Sequence, residues 1–339
     1  MVSNRKSRKR VLKLHQWYHN LNVKLYAFTP ADIIWKEQRI IGLSLTNGIW
    51  KQLSFPFPHV VYNQCFNKKL ITIRRLENAI GKNNCFNNIN FFNKWDVYNL
   101  LKNSSLNSYV PDTFSYNKVN IVELLKNNKL VYIKPCYGSQ GKSVYRVESM
   151  NTGDIHISLH SLKPTYICRK NEDLQWKLDK VLKAEKYVVQ QGINIHQVDG
   201  HYFDIRVLVQ KGIIGEWMVS TIACRIAYEN YFNTSMCKTV NDVTEILPRL
   251  YSPEKTNEFI QLLNEVSVRA AKVVETHMGS LGELSVDFVV DEHSNLWIIE
   301  LNGKPQKKIF EDMNYFKDKE LIYSRPIEYA YYLSLSSNN

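Results

Sequence analysis

Hydrophobic positions change period several times along this chain, and each change predicts an element. "QRIIGLSLTNGIWKQLSF" alternates on either side of Asn47-Gly48, the signature of a hairpin closed by a two-residue turn. Before it, "NVKLYAFTPADIIW" predicts a strand and then a short helix started at Thr29 and Pro30, and after it "HVVYNQ" predicts another strand. These pieces make a mixed α/β lobe that runs to about residue 108. The Asn-rich stretch that closes it carries Phe86, Phe91, Phe92 and Trp95, rings that favour burial, so it predicts a covering segment instead of a free spacer.

Beyond Pro111 the pattern alternates between sheet and helix. A short helix starts near Asn120, followed by strands at "LVYIKP", "KSVYRVES", "DIHISLH" and "PTYICR". Leu174, Leu178, Val181 and Leu182 then recur at helical spacing behind a cap at Asn171, ahead of the strand "KYVVQQGI". "YFDIRVLVQKGIIGEWMVSTIACR" reads as two strands around Lys211-Gly212. One long helix follows, capped by Ser252, with Pro253 in its first turn and Gly279 as its stop. Its stripe of Phe259, Leu263, Val266, Ala270, Val273 and Val274 predicts packing on a sheet that includes the next two strands.

Composition narrows the class. At 339 residues, 44% hydrophobic and 22% charged, the chain is a globular protein of two or three lobes. No window reaches the roughly eighteen apolar residues of a membrane span, and the basic start is not followed by the apolar segment of a signal peptide. Six cysteines without a C-x-x-C pair read as reduced thiols of a cytosolic protein. The net charge of +12 raises nucleic acid as a partner. Part of it is one cluster, Arg5, Lys6, Arg8, Lys9 and Arg10, which reads as a solubilising or phosphate-touching tail. No recognition helix or repeated basic-aromatic stripe accompanies it, which makes a nucleic-acid module the weakest class.

Three constellations carry chemistry. In "YIKPCYGSQGKSVYRV" a P-loop would need glycine where Cys136 stands and a helix where strand alternation resumes. Two readings remain: a basic surface hairpin, or a glycine-rich turn in which Gly138 and Gly141 let the backbone approach phosphates. In the second reading Ser139, Gln140 and Lys142 donate hydrogen bonds and Lys134 supplies a fixed charge. In "GELSVDFVVDEHSNLWIIELNGKP", a two-residue loop at His293-Ser294 sets Asp287 opposite Glu300, with Asn302 on the same face. Opposed carboxylates favour a cation between them, and Asp, Glu and Asn oxygens suit Mg²⁺; a solvated acidic face is the alternative. In "FDIRVLV", Asp204 and Arg206 share a face, either as a structural pair or with Arg206 presented to a carboxylate or phosphate; Arg225 is similar in kind.

In this order these segments, together with "PFPHVVYNQ", "VPDTFSY" and "YVVQQGI", resemble the ATP-grasp fold, and more closely the YheC/YheD family of spore-coat-associated ATP-grasp proteins. The resemblance covers almost the whole chain. It implies an α/β (α+β) architecture: a basic tail and N-terminal α/β lobe over 1–108, a small lobe with the glycine-rich loop over 109–192, and a large lobe with a metal site over 193–339. ATP is implied between two antiparallel-sheet lobes, with Lys134 and the Gly138–Lys142 turn at its phosphates. Gln190, Gln191 and Ile193 fall on its adenine side. Asp287, Glu300 and Asn302 are implied to hold Mg²⁺, while Arg206, Arg225 and Asn233 stand at the transferred phosphoryl group or acceptor.

The implied activity is an ATP-dependent carboxylate ligase acting through an acyl phosphate, with an unidentified carboxylate and nucleophile as partners. The alternative is an inactive ATP-binding protein of the spore coat, cytoplasmic in the producing cell. Two departures from the family pattern bear on the acceptor half. "NGKPQKK" has Lys304 and Gln306 where a small residue, proline and glycine are usual, and "NTSMCK" after Asn233 lacks glycines.

Overall fold

The computed structural model describes residues 1–18, 21–66, 71–138, 141–183, 186–313 and 318–336. Its largest layer is organised by the helix Pro253–Met278, which begins where Ser252 Oγ accepts the Lys255 N–H at 3.3 Å and ends at Gly279, whose φ is 88°. Phe259, Leu263, Val266, Ala270 and Val274 are buried on its inner face. They pack on an antiparallel sheet ordered Cys237–Asp242, Trp217–Ala227, His201–Lys211, Glu283–Val290 and Leu296–Asn302.

Side chains alternate across this sheet, and that alternation creates the site. Phe203, Ile205, Val207 and Val209, with Leu284, Val286, Phe288 and Val290, join the core under the helix. The intervening residues Asp204, Arg206, Leu208 and Gln210, with Asp287, point to the other face. The C-terminal helix Lys319–Ser336 covers one end of that face, where Ile322 and Tyr323 pack with Leu208 and the Gln210 amide donates to the Ile322 carbonyl. Asp204, Arg206 and Asp287 are left at the other end.

A second antiparallel sheet is ordered Tyr166–Cys168, Ile155–Leu159, Tyr145–Ser149, Leu130–Pro135, Tyr187–Gln191 and Thr113–Ser115. Val131, Ile133, Val147, Ile157 and Val189 face the helices Ile121–Asn128 and Leu174–Val181. The first of these is capped by Asn120 as expected. The second is capped by Asp173, not Asn171, because the helix starts two residues later and Asp173 reaches the Trp176 N–H. Tyr132, Lys134 and Gln190 occupy the opposite face.

The first lobe contains the expected hairpin, Arg39–Thr46 with Ile49–Pro56, closed by Asn47 and Gly48 with φ of 50° and 75°. The strand expected over 22–28 is only a bridge between Ala27 and Leu43, and the helix after it is one 3₁₀ turn, Pro30–Asp32. The basic N-terminal segment is not a tail. Met1 and Val2 are buried, Arg8–Leu14 is a helix, and Arg5 and Arg8 both reach Asp32, whose carboxylate also accepts the Thr29 N–H at 2.9 Å. A buried carboxylate 24 residues or more along the chain thus recruits part of the cluster. The Asn-rich segment covers the large layer through two of its four rings: Phe86 and Phe92 are buried, Trp95 is half-buried and Phe91 is exposed, while the helix Lys94–Lys102 lies against Pro253–Met278 and Leu296–Asn302.

Among the described residues no helix is long and apolar enough to cross a membrane.

Candidate functional site

Between the polar faces of the two sheets lies a cavity of about 390 Å³, the size of a small-molecule site. Lys134, Gly138, Gly141, Lys142, Gln190, Gln191, Ile193, Arg206, Arg225, Asn233, Asp287, Glu300 and Asn302 all line it. Ser139 and Gln140 lie outside the described residues. Residues far apart in sequence are therefore brought onto one enclosure by two strand faces and two connecting segments.

Asp287 does stand opposite Glu300, but not through a two-residue loop. The pairing next to the turn is Val290 with Leu296, closed by an Asp291 N–H to Asn295 carbonyl bond of 3.0 Å, which shifts the register by one. A bulge between Asp287 and Phe288, with Ile299 as the extra residue, shifts it back. Such bulges re-aim a side chain, and here the shift brings Asp287 level with Glu300 and Ser285 level with Asn302.

Charge pairing around these acids follows cross-strand neighbours. Arg206 is opposite Asp287 and binds it through Nε at 2.7 Å and a terminal nitrogen at 2.5 Å. Arg225 is opposite Asp204, bonds it through two nitrogens, and reaches Asp287 at 3.1 Å. Of the two sequence alternatives for Asp204 and Arg206, the structural pair between them does not form. Residues two apart on a strand are separated by about 6.5 Å, whereas cross-strand partners approach to about 5 Å. Burial would raise the Asp287 carboxyl, but Arg206 and then Arg225 outweigh it and hold it below the ordinary Asp range. Glu300, more exposed, is paired to Lys94 at 3.0 Å.

Lys94 was absent from the residues singled out in the sequence. It is the first residue of a helix whose cap, Asn93, accepts the Trp95 N–H, and its ammonium also donates to the Gly138 carbonyl at 3.3 Å. It thereby ties the glycine turn to the acidic strand. The only local signal was an Asn cap before an amphipathic run; nothing local marks its partners, which lie 44 or more positions away.

Lys134 donates to Gln190 Oε1 at 2.6 Å from the neighbouring strand. Burial lowers its pKa to about 8, with Lys94 adding to the effect and Glu300 and Asp287 opposing it. Gly141 has φ of 60°, and its carbonyl accepts the Asn233 amide at 3.3 Å. Asn233 Oδ1 in turn accepts the Ser235 N–H at 2.9 Å, so the glycine turn and the segment after Arg225 lock together. A Cβ at position 141 would lie 2.3 Å from the Asn233 amide nitrogen. Gly141→Ala is expected to expel Asn233 and weaken any phosphate ligand of this turn about tenfold, the worth of one hydrogen bond. Calorimetric titration with ATP reads the effect, and unchanged affinity would separate Asn233 from the phosphate end.

The donor set suits a hard cation. Each carboxylate keeps lone pairs beyond those its Arg or Lys partners use, and Asn302 Nδ2 is buried without a hydrogen-bond partner among the described residues. Turning that amide over puts an acceptor oxygen at the same place. Among the described residues no group of three or more His, Cys, Asp or Glu forms a metal cluster, so any ion held here would draw on two carboxylates, one amide and its ligand's own oxygens.

Comparison with known proteins identifies the family and the fold. The chain is 28% identical to the endospore coat-associated protein YheD of Bacillus subtilis (strain 168), over 91% of this chain and 70% of that protein. It is 24% identical to the endospore coat-associated protein YheC of the same organism, over 92% of this chain and 88% of that one. Among solved structures, the D-alanine-D-alanine ligase from Coxiella burnetii superposes with a TM-score of 0.51 at 14% identity, covering 89% of this chain and 78% of that chain, which establishes a shared fold. The family model for YheC/D like ATP-grasp proteins matches residues 82–333, a span that holds both facing sheets and every residue singled out in the cavity, and the chain belongs to that family.

Proposed function

We propose that this chain binds Mg²⁺-ATP in the cavity and acts as a nucleotide-binding protein associated with the endospore coat. The observation that carries the nucleotide is the charge of the lining. Five of the lining's basic side chains, Lys94, Lys134, Lys142, Arg206 and Arg225, face three acidic ones, Asp204, Asp287 and Glu300, a surplus of two positive charges suited to a polyphosphate. Lys134 acts as a point charge on the phosphates, Lys142 and the glycine-flanked turn approach them from the other strand end, and Gln190, Gln191 and Ile193 line the base. Asp287, Glu300 and Asn302 are the residues that would hold Mg²⁺, which neutralises phosphate charge when bound. The coat association is carried over from the names of the two curated relatives.

A second reading, an ATP-dependent carboxylate ligase, is favoured by one feature: Arg206 and Arg225 share the cavity with Lys134. In this reading a carboxylate oxygen attacks the γ-phosphorus, the bond to the bridging oxygen breaks, and ADP leaves. An amine or another nucleophile then attacks the acyl carbon, phosphate leaves with the electron pair of the C–O bond, and the nucleophile's proton passes to solvent. Lys134 and the two arginines offset charge on the transferring oxygens. An ADP-release assay with paired carboxylates and amines separates the readings. Nucleotide binding without release supports the coat-protein reading; release that requires both partners supports the ligase.

A further inference from the structure

Sorting the cavity's cations by partner leaves one without a role. Arg206 and Arg225 are held by Asp287 and Asp204, Lys94 by Glu300, and Lys134 and Lys142 belong to the strand and turn of the glycine loop. Lys304 stands on the segment that leaves the strand Leu296–Asn302. Among the described residues its ammonium donates to two neutral oxygens of the first lobe, the Cys65 carbonyl and, at 2.7 Å, Asn90 Oδ1. No carboxylate lies within ion-pair distance of it among the described residues. Beside it are two cavity-lining rings that remain open to solvent, Phe66 and Phe91, 56% and 38% exposed, with centroids 6.4 Å apart. The Lys304 ammonium lies 5.6 Å from the Phe66 ring. Gly303 keeps this geometry fixed, since a Cβ there would meet the buried Phe92 ring at 2.8 Å.

We propose that Lys304, with Phe66 and Phe91, forms a second subsite of the cavity that binds a carboxylate carried on an apolar body. An ammonium held by neutral carbonyl-type oxygens has no carboxylate partner among the described residues that an incoming anion must displace, and those oxygens fix its position. The rings cover the apolar part of the ligand, which distinguishes this subsite from the glycine turn, whose lining is backbone and lysine. The subsite needs no turnover. It rests on the reading that the rest of the cavity takes ATP only in that the nucleotide fills the other end.

The test is ligand-observed NMR titration of hexanoate, hexanamide and inorganic phosphate into the full chain, alone and saturated with Mg²⁺ and a non-hydrolysable ATP analogue. The proposal predicts that hexanoate binds and hexanamide does not. Lys304→Gln is expected to weaken hexanoate by about 10- to 100-fold, the worth of a charged hydrogen bond, with rescue by Lys304→Arg and analogue affinity unchanged. Phe91→Ala, at a position 38% exposed, should also weaken hexanoate and serves if Lys304→Gln does not fold. Equal binding of hexanamide, preference for phosphate, or a parallel loss of the nucleotide analogue in Lys304→Gln would overturn the subsite. Failure of the analogue to bind while hexanoate still binds overturns the ATP reading and leaves the subsite standing.

Discussion

Replacing Asp287 with Asn is expected to destabilise the fold by about 3–5 kcal/mol, the cost of removing one partner from a buried ion-pair network. Asp287 is 2% exposed and is the only carboxylate that both Arg206 and Arg225 touch among the described residues. An amide in its place leaves Arg206 without a charged partner and Arg225 with Asp204 alone. The network also predicts a pH dependence. The folded Asp287 carboxyl sits below its ordinary value of 3.8, so its stabilisation is present above that value and is lost as pH falls through the lower folded value. Urea denaturation between pH 3 and 7 checks both points: the variant should be less stable at neutral pH and should lose less on acidification. By contrast, Glu300 is 25% exposed in its side chain with Lys94 as its one ion-pair partner among the described residues, and Glu300→Gln should cost about 1 kcal/mol or less. A result in which the two variants are equally stable would contradict the charge arrangement described here.

Lys134→Met is expected to weaken ATP binding by about 10- to 100-fold while leaving the fold intact. The methionine keeps the buried stem and removes an ammonium that is costly to bury. Because burial lowers the folded Lys134 to about 8 from 10.5, the unfolded chain holds this proton over a window in which the folded chain has released it. Its contribution to stability without ligand therefore rises with pH between those values. Nucleotide affinity moves the opposite way. Phosphates favour the ammonium, so ATP binding should take up a proton near pH 8.5 and weaken as pH rises through 8. Calorimetry in buffers of different ionisation enthalpy measures that uptake, which should vanish in Lys134→Met; uptake that persists there would assign the proton to another group.

Much of the architecture was legible because it rests on local signals. The Asn47-Gly48 turn, the Ser252 cap with Pro253, and the alternation in "FDIRVLV" each operate over a few residues, and each has its place in the structure. The opposition of Asp287 and Glu300 arises from two offsetting departures from an ideal two-residue hairpin. The turn is one residue longer than expected, and the bulge at Ile299 compensates; a bulge leaves no mark in a run of apolar residues. What stayed hidden was partner choice at long range. Arg206 takes its cross-strand Asp287 instead of Asp204, Lys94 takes Glu300, and Arg5 and Arg8 fold onto Asp32 instead of forming a tail. Each of those partners is set by sheet register or lobe packing, which composition and periodicity do not encode.

The measurement that bears most directly on the nucleotide-binding reading is calorimetric titration of Mg²⁺-ATP into the wild-type chain and Glu300→Gln. Glu300 is a cavity residue that can be changed without dismantling the buried Asp287 network. Metal-dependent binding to the wild type, weakened in the variant while its melting temperature holds, is the predicted result. No binding of Mg²⁺-ATP by the folded wild-type chain, or identical metal-dependent binding in both proteins, would contradict it.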